Sequence, residues 1–514
     1  MEMNDMGRSL YSQLLCRQGK RTTKVERREF LRHSLAATAT LLLSSQSAPG
    51  RMPAPHADAR RVVVIGAGFA GLACAHELRS IGYNVTVLEA RKRVGGRVLS
   101  ANAANGREFV RGRNVEFGGE LIGSNHLAWL NYAERFGLEF LDVTSDDEAE
   151  LPVVIGGKRL TREEAQELWD GLEAALGQLN ELAAPVVEDE PWRTPGAEKL
   201  DSMSVQEWID KLDVSPLVKR AVWINQCADN GQDTERQSLL GQLASIKGGG
   251  LERYWTESEV YRCRGGNDQL ATKLAEAIGS EQILVNQPVR TVSRRGDVML
   301  VETAEGSVFE CDDVVLTAPP TTWHKIKFSP SLPETMNPQT GHNAKYFALV
   351  KDRFWEQHNP KLSQYALADE PICMTWDGTD NQGPVDATVG GACLVGFSGG
   401  SVCRRALEMD ADSRERAFSK ALEQFFPGFK ENVLKTFFMK WPEEPWALTG
   451  YSFPAPGQVT TVGPLLAQPH LDGRLHIAGE HACYKFVGYM EGALQSGLRV
   501  AKVLATRDGV APRR

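Results

Sequence analysis

Cysteine is scarce and carries no pattern. The nine cysteines (Cys16, Cys74, Cys227, Cys263, Cys311, Cys373, Cys393, Cys403 and Cys483) include no C-x-x-C pair, and none stands with histidines at metal-ligand spacing. A zinc or cluster motif is therefore excluded, and no metal site is expected. An oxidising compartment would permit a disulfide, but the spacing nominates none, and most of these thiols read as small buried hydrophobes. Positive charge is not in excess either: the net charge of −8 removes the basic footprint that nucleic-acid binding requires. No uninterrupted apolar segment reaches the ~20 residues of a membrane span. No repeat of solenoid period is present, and low complexity is confined to the N-terminal segment. What remains is an ordinary globular composition, 42% hydrophobic and 24% charged over 514 residues, long enough for two or three domains.

Local basicity peaks at Lys24 to Arg32, with Arg27-Arg28 adjacent, followed by the apolar stretch Leu35 to Leu43 and small residues to Ala48. This pattern resembles a twin-arginine export signal of a bacterial protein, and a plain basic amphipathic helix is the alternative. Read as a signal, residues 1–48 stand outside the fold, and the folded protein is periplasmic or secreted.

The densest information lies just beyond. Val62-Val63-Val64-Ile65 is a β-branched run of the kind buried on both faces of a parallel sheet. Gly66-Ala67-Gly68-Phe69-Ala70-Gly71 follows, then a helix over Leu72 to Ser80, then a second apolar run, Val85 to Leu88, that delivers Glu89. Gly66 allows the tight turn, Gly68 lets backbone approach a pyrophosphate, and Gly71 lets the helix pack on the sheet. The helix N-terminus would face the phosphates. A carboxylate about 20 residues on would accept hydrogen bonds from a ribose. A dinucleotide-binding βαβ unit is expected.

Further on, Asn125 to Phe136 and Thr161 to Leu182 read as helices. The second has the capping box Thr161-x-x-Glu164 and a core stripe of Leu168, Leu172, Leu176 and Leu179. Pro185, Pro191 and Pro195 break the chain before a helix capped at Ser204-x-x-Glu207. A helix over Leu270 to Ile278 follows. Strands at Val289 to Ser293, Val298 to Thr303, Ser307 to Cys311 and Val314 to Leu316 read as a small antiparallel meander.

Four separated motifs, spread between about Arg60 and Leu504, resemble the flavin-containing amine oxidase family, of the monoamine oxidase and L-amino-acid oxidase type. The first continues from the βαβ unit as Glu89-Ala90-Arg91-Lys92-Arg93-Val94-Gly95-Gly96-Arg97. An ordinary basic turn would account for it alone; after a βαβ unit it favours FAD, whose pyrophosphate two glycines and a guanidinium can clamp. The second is Glu116-Phe117-Gly118-Gly119-Glu120-Leu121-Ile122-Gly123, similar to the Gly-Gly turn near the flavin ring. The third is Ala318 to Phe328, and the fourth runs from Ile477-Ala478-Gly479-Glu480 through Gly488-Tyr489-Met490-Glu491-Gly492.

The resemblance implies an α/β fold, in which a Rossmann-like FAD-binding domain of the glutathione-reductase type is interleaved with an α+β substrate domain. The FAD domain would take residues 60–124, 261–325 and 446–506, and the substrate domain residues 125–260 and 326–445. Val289 would contact adenine through its backbone, and Glu480 would hydrogen-bond the FAD chain. Lys325 would hold a water against the reactive flavin nitrogen; Lys327, one strand period away, is the alternative register. Tyr451 and Tyr489 would form the aromatic cage for the substrate nitrogen. The helix starting near Gly488 to Glu491 would aim its dipole at the flavin pyrimidine.

Two departures matter. Gly450 stands where the mitochondrial enzymes carry the cysteine that attaches FAD, so noncovalent FAD is expected. Leu121 stands where snake-venom amino-acid oxidases carry a carboxylate-binding arginine. Yet Glu120 to His126 also looks like a microbial amino-acid oxidase branch. The expectation is an FAD-dependent oxidase that deaminates an amine, leaning to L-amino acids, with oxygen as acceptor and hydrogen peroxide as product. A monoamine or polyamine oxidase is the alternative. Carotenoid desaturases and porphyrinogen oxidases, which share the front motif, come next, then a noncatalytic FAD-bearing protein. A homodimer is left open.

Overall fold

The computed structural model describes residues 59–144, 149–383 and 390–510; the export-type segment lies outside them. A five-stranded parallel sheet forms the centre of one half. Its strands are β1 (Arg61–Ile65), β2 (Asn84–Leu88), β3 (Ile283–Leu284), β4 (Asp313–Leu316) and β5 (Leu475–Ile477), in the order β5-β4-β1-β2-β3.

The β-branched run of β1 explains its central place. Val62 and Val64 face a helical layer, whereas Val63 and Ile65 face a second, antiparallel sheet, and all four are buried. Each such side chain contributes ~1.5–3 kcal/mol by leaving water. The helical layer is α1 (Phe69–Ser80), wholly buried, clamped against the C-terminal helix α2 (Met490–Arg507). A Cβ at Gly497 would stand 2.2 Å from the Ala70 carbonyl oxygen, so only glycine permits this approach of the two helices.

The expected four-strand meander is corrected to three. Val289–Arg295, Val298–Thr303 and Val308–Cys311 pair antiparallel, with Lys327–Ser329 added in parallel. The fourth, β4, leaves them to lie beside β1. Its residues are continuously buried rather than alternating, which suits the interior of a parallel sheet. Asp313 at its start also receives Arg507 from α2 through two 2.7 Å hydrogen bonds.

The other half is a seven-stranded sheet backed by helices. Its order is Val433–Met439, Asn343–Val350, Ala392–Gly399, Met374–Asp377, Leu367–Ala368, Val153–Ile155 and Lys158–Arg159. The helix Arg162–Ala183 begins at the Thr161 capping box and buries Leu168, Leu172, Leu176 and Leu179. They join one cluster with helices Pro216–Asn230 and Leu239–Gly248. Among the described residues, no helix is long and apolar enough to cross a membrane, no His/Cys/Asp/Glu group could hold a metal, and the eight cysteines are free thiols.

Candidate active site

The glycine turn after β1 is built as its chemistry requires. Gly66 has φ +109°, its amide donates to Leu88 O at 2.8 Å, and a side chain there would strike Thr317. A Cβ at Gly71 would lie 2.0 Å from the Gly66 carbonyl oxygen. Gly68 is different: a Cβ there would meet no protein atom within 4 Å. The N-terminus of α1, with no side-chain cap, opens onto that space. Buried Glu89 closes the turn, accepting from the amides of Ala67 and Arg91, both at 2.8 Å. The second glycine pair abuts the first: a Cβ at Gly96 would sit 3.2 Å from Gly68 Cα, and the Gly95 amide donates to Ala67 O at 2.8 Å.

From this turn a cavity of about 340 Å³ runs to the tyrosines. Gly66, Gly68, Phe69, Ala70, Glu89, Ala90, Arg91, Gly95, Gly96, Arg97, Gly118, Gly119, Glu120, Leu121, Val289, Gly479, Glu480, Gly488 and Met490 line it, as do Lys325, Tyr451 and Tyr489. Of the residues expected at the site, Gly71 alone is missing from the wall, because its contact is with the Gly66 backbone.

The arginines of the wall are paired with carboxylates. Arg97 donates through Nη1 to Glu480 Oε1 and to Gly450 O, both at 3.0 Å. Glu480 also accepts from Ser452 Oγ at 2.9 Å and from the Gly488 amide at 3.0 Å. Burial alone would raise its pKa, but Arg97 and these donors outweigh burial and hold it below the usual carboxylate range. Arg91 donates to both carboxylate oxygens of Glu444, at 3.1 and 2.5 Å.

The lysines part company. Lys325 ends a short 3₁₀ turn, Pro320–Lys325, and is exposed; its ammonium donates to Pro445 O at 2.6 Å and stands 4.7 Å from the Trp446 ring centroid. Lys327 is also exposed, on the neighbouring strand. Lys345, in the strand Asn343–Val350, is the buried lysine of the wall. Its Nζ donates to Gly118 O at 2.9 Å, Glu116 O at 3.1 Å and Glu120 Oε2 at 2.8 Å, which fastens it to the second Gly-Gly turn. Glu120 also accepts from Arg262 Nε at 2.8 Å and Trp376 Nε1 at 3.0 Å. Arg262 passes on to Asp380 at 2.7 Å, so two buried cations meet two carboxylates.

Tyr451 and Tyr489 line the same cavity. The Tyr451 hydroxyl donates toward Ala228 O and Asp229 O, at 2.9 and 2.8 Å, and accepts from Asn343 Nδ2 at 2.8 Å. Tyr489 hydrogen-bonds Tyr254, and its ring meets His126 edge-on with centroids 5.4 Å apart. Burial, with the nearby charges of Asp229 and Glu259, raises Tyr451 well above the ordinary phenol range. Tyr489 is also the N-cap of α2 and offers that helix no side-chain bond. The carboxylate of Glu491 turns away to cap Leu127–Phe136 instead, accepting from the amides of Ala128 and Trp129 at 2.8 and 3.0 Å. The N-terminus of α2 is thus free to face the cavity.

A family model described as flavin containing amine oxidoreductase matches residues 69–505. The chain belongs to this family. A second model, pyridine nucleotide-disulphide oxidoreductase, matches residues 19–118. The amine oxidoreductase is 27% identical over 86% of its length to a probable flavin-containing monoamine oxidase A of Dictyostelium discoideum, covering 96% of that protein. It is 29% identical over 88% of its length to amine oxidase B of Canis lupus familiaris, covering 87% of that protein. Among solved structures, cyclohexylamine oxidase from Brevibacterium oxydans superposes with a TM-score of 0.77 at 26% identity, over 88% of this chain and all of that one.

FAD is the cofactor of this amine oxidoreductase, and the cavity fits it. The open space over Gly68, the uncapped amides of α1 and the buried Glu89 suit a pyrophosphate and a ribose. The second uncapped helix, α2, suits an electron-rich ring. No cysteine is among the described residues lining the cavity, in keeping with noncovalent binding.

Sequence reasoning missed Lys345, Arg262, Asp229, Glu259 and Tyr254. Only Lys345 left a signal: it is the single charge within the otherwise apolar strand Ala344 to Val350.

Proposed function

We propose that this protein is an FAD-dependent oxidase that oxidatively deaminates a primary amine lacking a carboxylate, giving an imine and hydrogen peroxide. The observation that carries the reading is the continuity of one cavity from the Gly66–Gly68 turn to Tyr451 and Tyr489. Bound FAD supplies the hydride acceptor and the route of electrons to oxygen.

The chain's own residues do the rest. Tyr451 and Tyr489 present ring faces that orient a neutral amine, and their hydroxyls are kept protonated by burial. Lys325 holds a water beside the flavin. It lines the cavity and spends one ammonium donor on Pro445 O, whereas Lys345 commits its three donors to Glu116 O, Gly118 O and Glu120 Oε2. An L-amino acid, the substrate class the motifs favoured, needs a cation for its carboxylate. The arginines of the wall, Arg91 and Arg97, already engage Glu444 and Glu480. The tyrosine end, where Asp229 and Glu259 both act on Tyr451, supports an amine without that group.

Steady-state peroxide formation with n-pentylamine and with L-norleucine, which has the same alkyl chain plus a carboxylate, tests the choice. Turnover of the amine is expected. Turnover of L-norleucine alone would contradict it.

A further inference from the structure

Tyr489 is held at both ends of its side chain. Its backbone forms the N-cap of α2, and its amide donates to Phe486 O at 3.2 Å. Its hydroxyl is hydrogen-bonded to Tyr254, a buried residue that is not among those lining the cavity. Tyr254 is itself closely packed: its ring stands edge-on to Trp255 with centroids 4.8 Å apart, and a Cβ at Gly249 would lie 2.7 Å from its own Cβ. With both ends of the Tyr489 ring fixed, rotation about the axis that joins them is the one freedom left, and in tyrosine that torsion is intrinsically broad.

His126 stands against that rotation. Its ring is set edge-on to Tyr489 and to Phe486, each with centroids 5.4 Å apart, and Phe486 meets Tyr489 in the same way at 6.5 Å. His126 is fully buried, and its Nδ1 accepts from the Gly123 amide at 2.8 Å. The imidazole proton therefore sits on Nε2, which has no hydrogen-bond partner among the described residues. Burial lowers the pKa to about 3, so the ring packs as a neutral aromatic rather than as a cation. Gly123 closes the second Gly-Gly motif, and His126 thus joins that turn to Tyr489.

Resting on the oxidase reading above, we infer that His126 and Tyr254 are positioning residues for the amine: Tyr254 anchors the Tyr489 hydroxyl, and His126 blocks rotation of the Tyr489 ring, so that its face stays fixed toward the substrate. Neither is among the residues lining the cavity, so both act through Tyr489. Their effect falls on the orientation of the reacting carbon, and hence on the rate of hydride transfer, more than on how tightly the amine binds.

Two substitutions separate this role from a merely structural one. His126→Asn keeps an acceptor for the Gly123 amide and removes the ring, whereas His126→Phe keeps the ring and removes the acceptor. His126→Phe is therefore expected to have the lower Tm and the higher activity of the two. In anaerobic stopped-flow with n-pentylamine, the limiting rate of flavin reduction should fall ~10-fold in His126→Asn and in Tyr254→Phe, with Kd within about twofold of the wild type, and stay within about threefold in His126→Phe. Rates that follow Tm across the three variants would overturn the positioning role, as would a loss confined to Kd. Nuclear magnetic resonance of FAD-loaded protein, with tyrosine isotope-labelled at both Cε carbons, reads the ring without turnover. Tyr489, assigned by the loss of its signals in Tyr489→Phe, should give two separate Cε signals in the wild type and in His126→Phe, and one averaged signal in His126→Asn. An averaged signal in the wild type, or two signals in His126→Asn, would overturn the proposal. A flavin that no amine reduces would overturn the oxidase reading, and the ring signals would still decide the positioning. Where His126→Asn does not fold, the wild-type signals and Tyr254→Phe decide.

Discussion

The ammonium of Lys345 lies 2.8 Å from Oε2 of Glu120, inside a buried cluster completed by Arg262 and Asp380. The cluster fixes where the lysine points, because Glu116 and Gly118 hold its remaining donors through their carbonyls. Replacing Lys345 with Met should leave Glu120 paired with Arg262 but strip the Glu116 and Gly118 carbonyls of their donor, lowering the Tm with little change in flavin reoxidation. In Lys325→Met, which removes the cavity lysine with donors to spare, stopped-flow mixing of reduced protein with oxygen should show reoxidation slowed roughly 100-fold, the scale of losing one preorganised donor.

Two neighbouring glycines separate folding from cofactor binding. At Gly71 an added methyl collides with the backbone of Gly66, so Gly71→Ala should cost several kcal/mol, roughly 2–4, and lower the Tm of apoprotein and holoprotein alike. At Gly68 the same methyl meets no protein atom, but it stands over the N-terminus of α1. Gly68→Ala should melt like the wild type without FAD yet fail to retain FAD through gel filtration.

The ion pair between Arg97 and Glu480 ties the second glycine turn to the segment before α2. Glu480→Gln would leave Arg97 with Gly450 O and weaken the hold on the Gly488 amide. Fluorescence titration should show FAD affinity reduced about tenfold, the worth of a partly buried charged hydrogen bond.

Much of this was legible in the sequence and part was not. The glycine turns, Glu89 and the tyrosines lie in short motifs whose spacing mirrors local geometry, and the structure brings them to one wall. The place of Lys345 was not legible, because it is non-local: its ammonium meets Gly118 O across 227 positions of chain. The same holds for β4. Its buried run looked like one more strand of a meander until the parallel sheet gave it a place beside β1. Asp229 and Glu259 sit in helix and loop positions where a carboxylate usually faces solvent, so only the fold reveals that they face a cavity.

Glu116 gives the stability a pH dependence. Burial raises its pKa to about 7, although Asn267, Asn114 and Ser100 all donate to it. Its folded value exceeds the unfolded 4.5, so between these limits the folded state binds more protons and stability falls as pH rises. The loss should total roughly 3 kcal/mol and level off above about pH 7. Glu116→Gln should flatten that segment of a urea-denaturation profile. An unchanged slope would place the dependence elsewhere.

The central claim is that one cavity brings an amine to FAD. Anaerobic mixing of the FAD-loaded protein with a panel of monoamines, diamines and L-amino acids, followed by flavin absorbance, tests it most directly. The account predicts bleaching by amines without a carboxylate, followed by recovery of the oxidised spectrum and release of peroxide when oxygen is admitted. A flavin that no amine bleaches, while dithionite still reduces it and oxygen still restores it, would contradict the account.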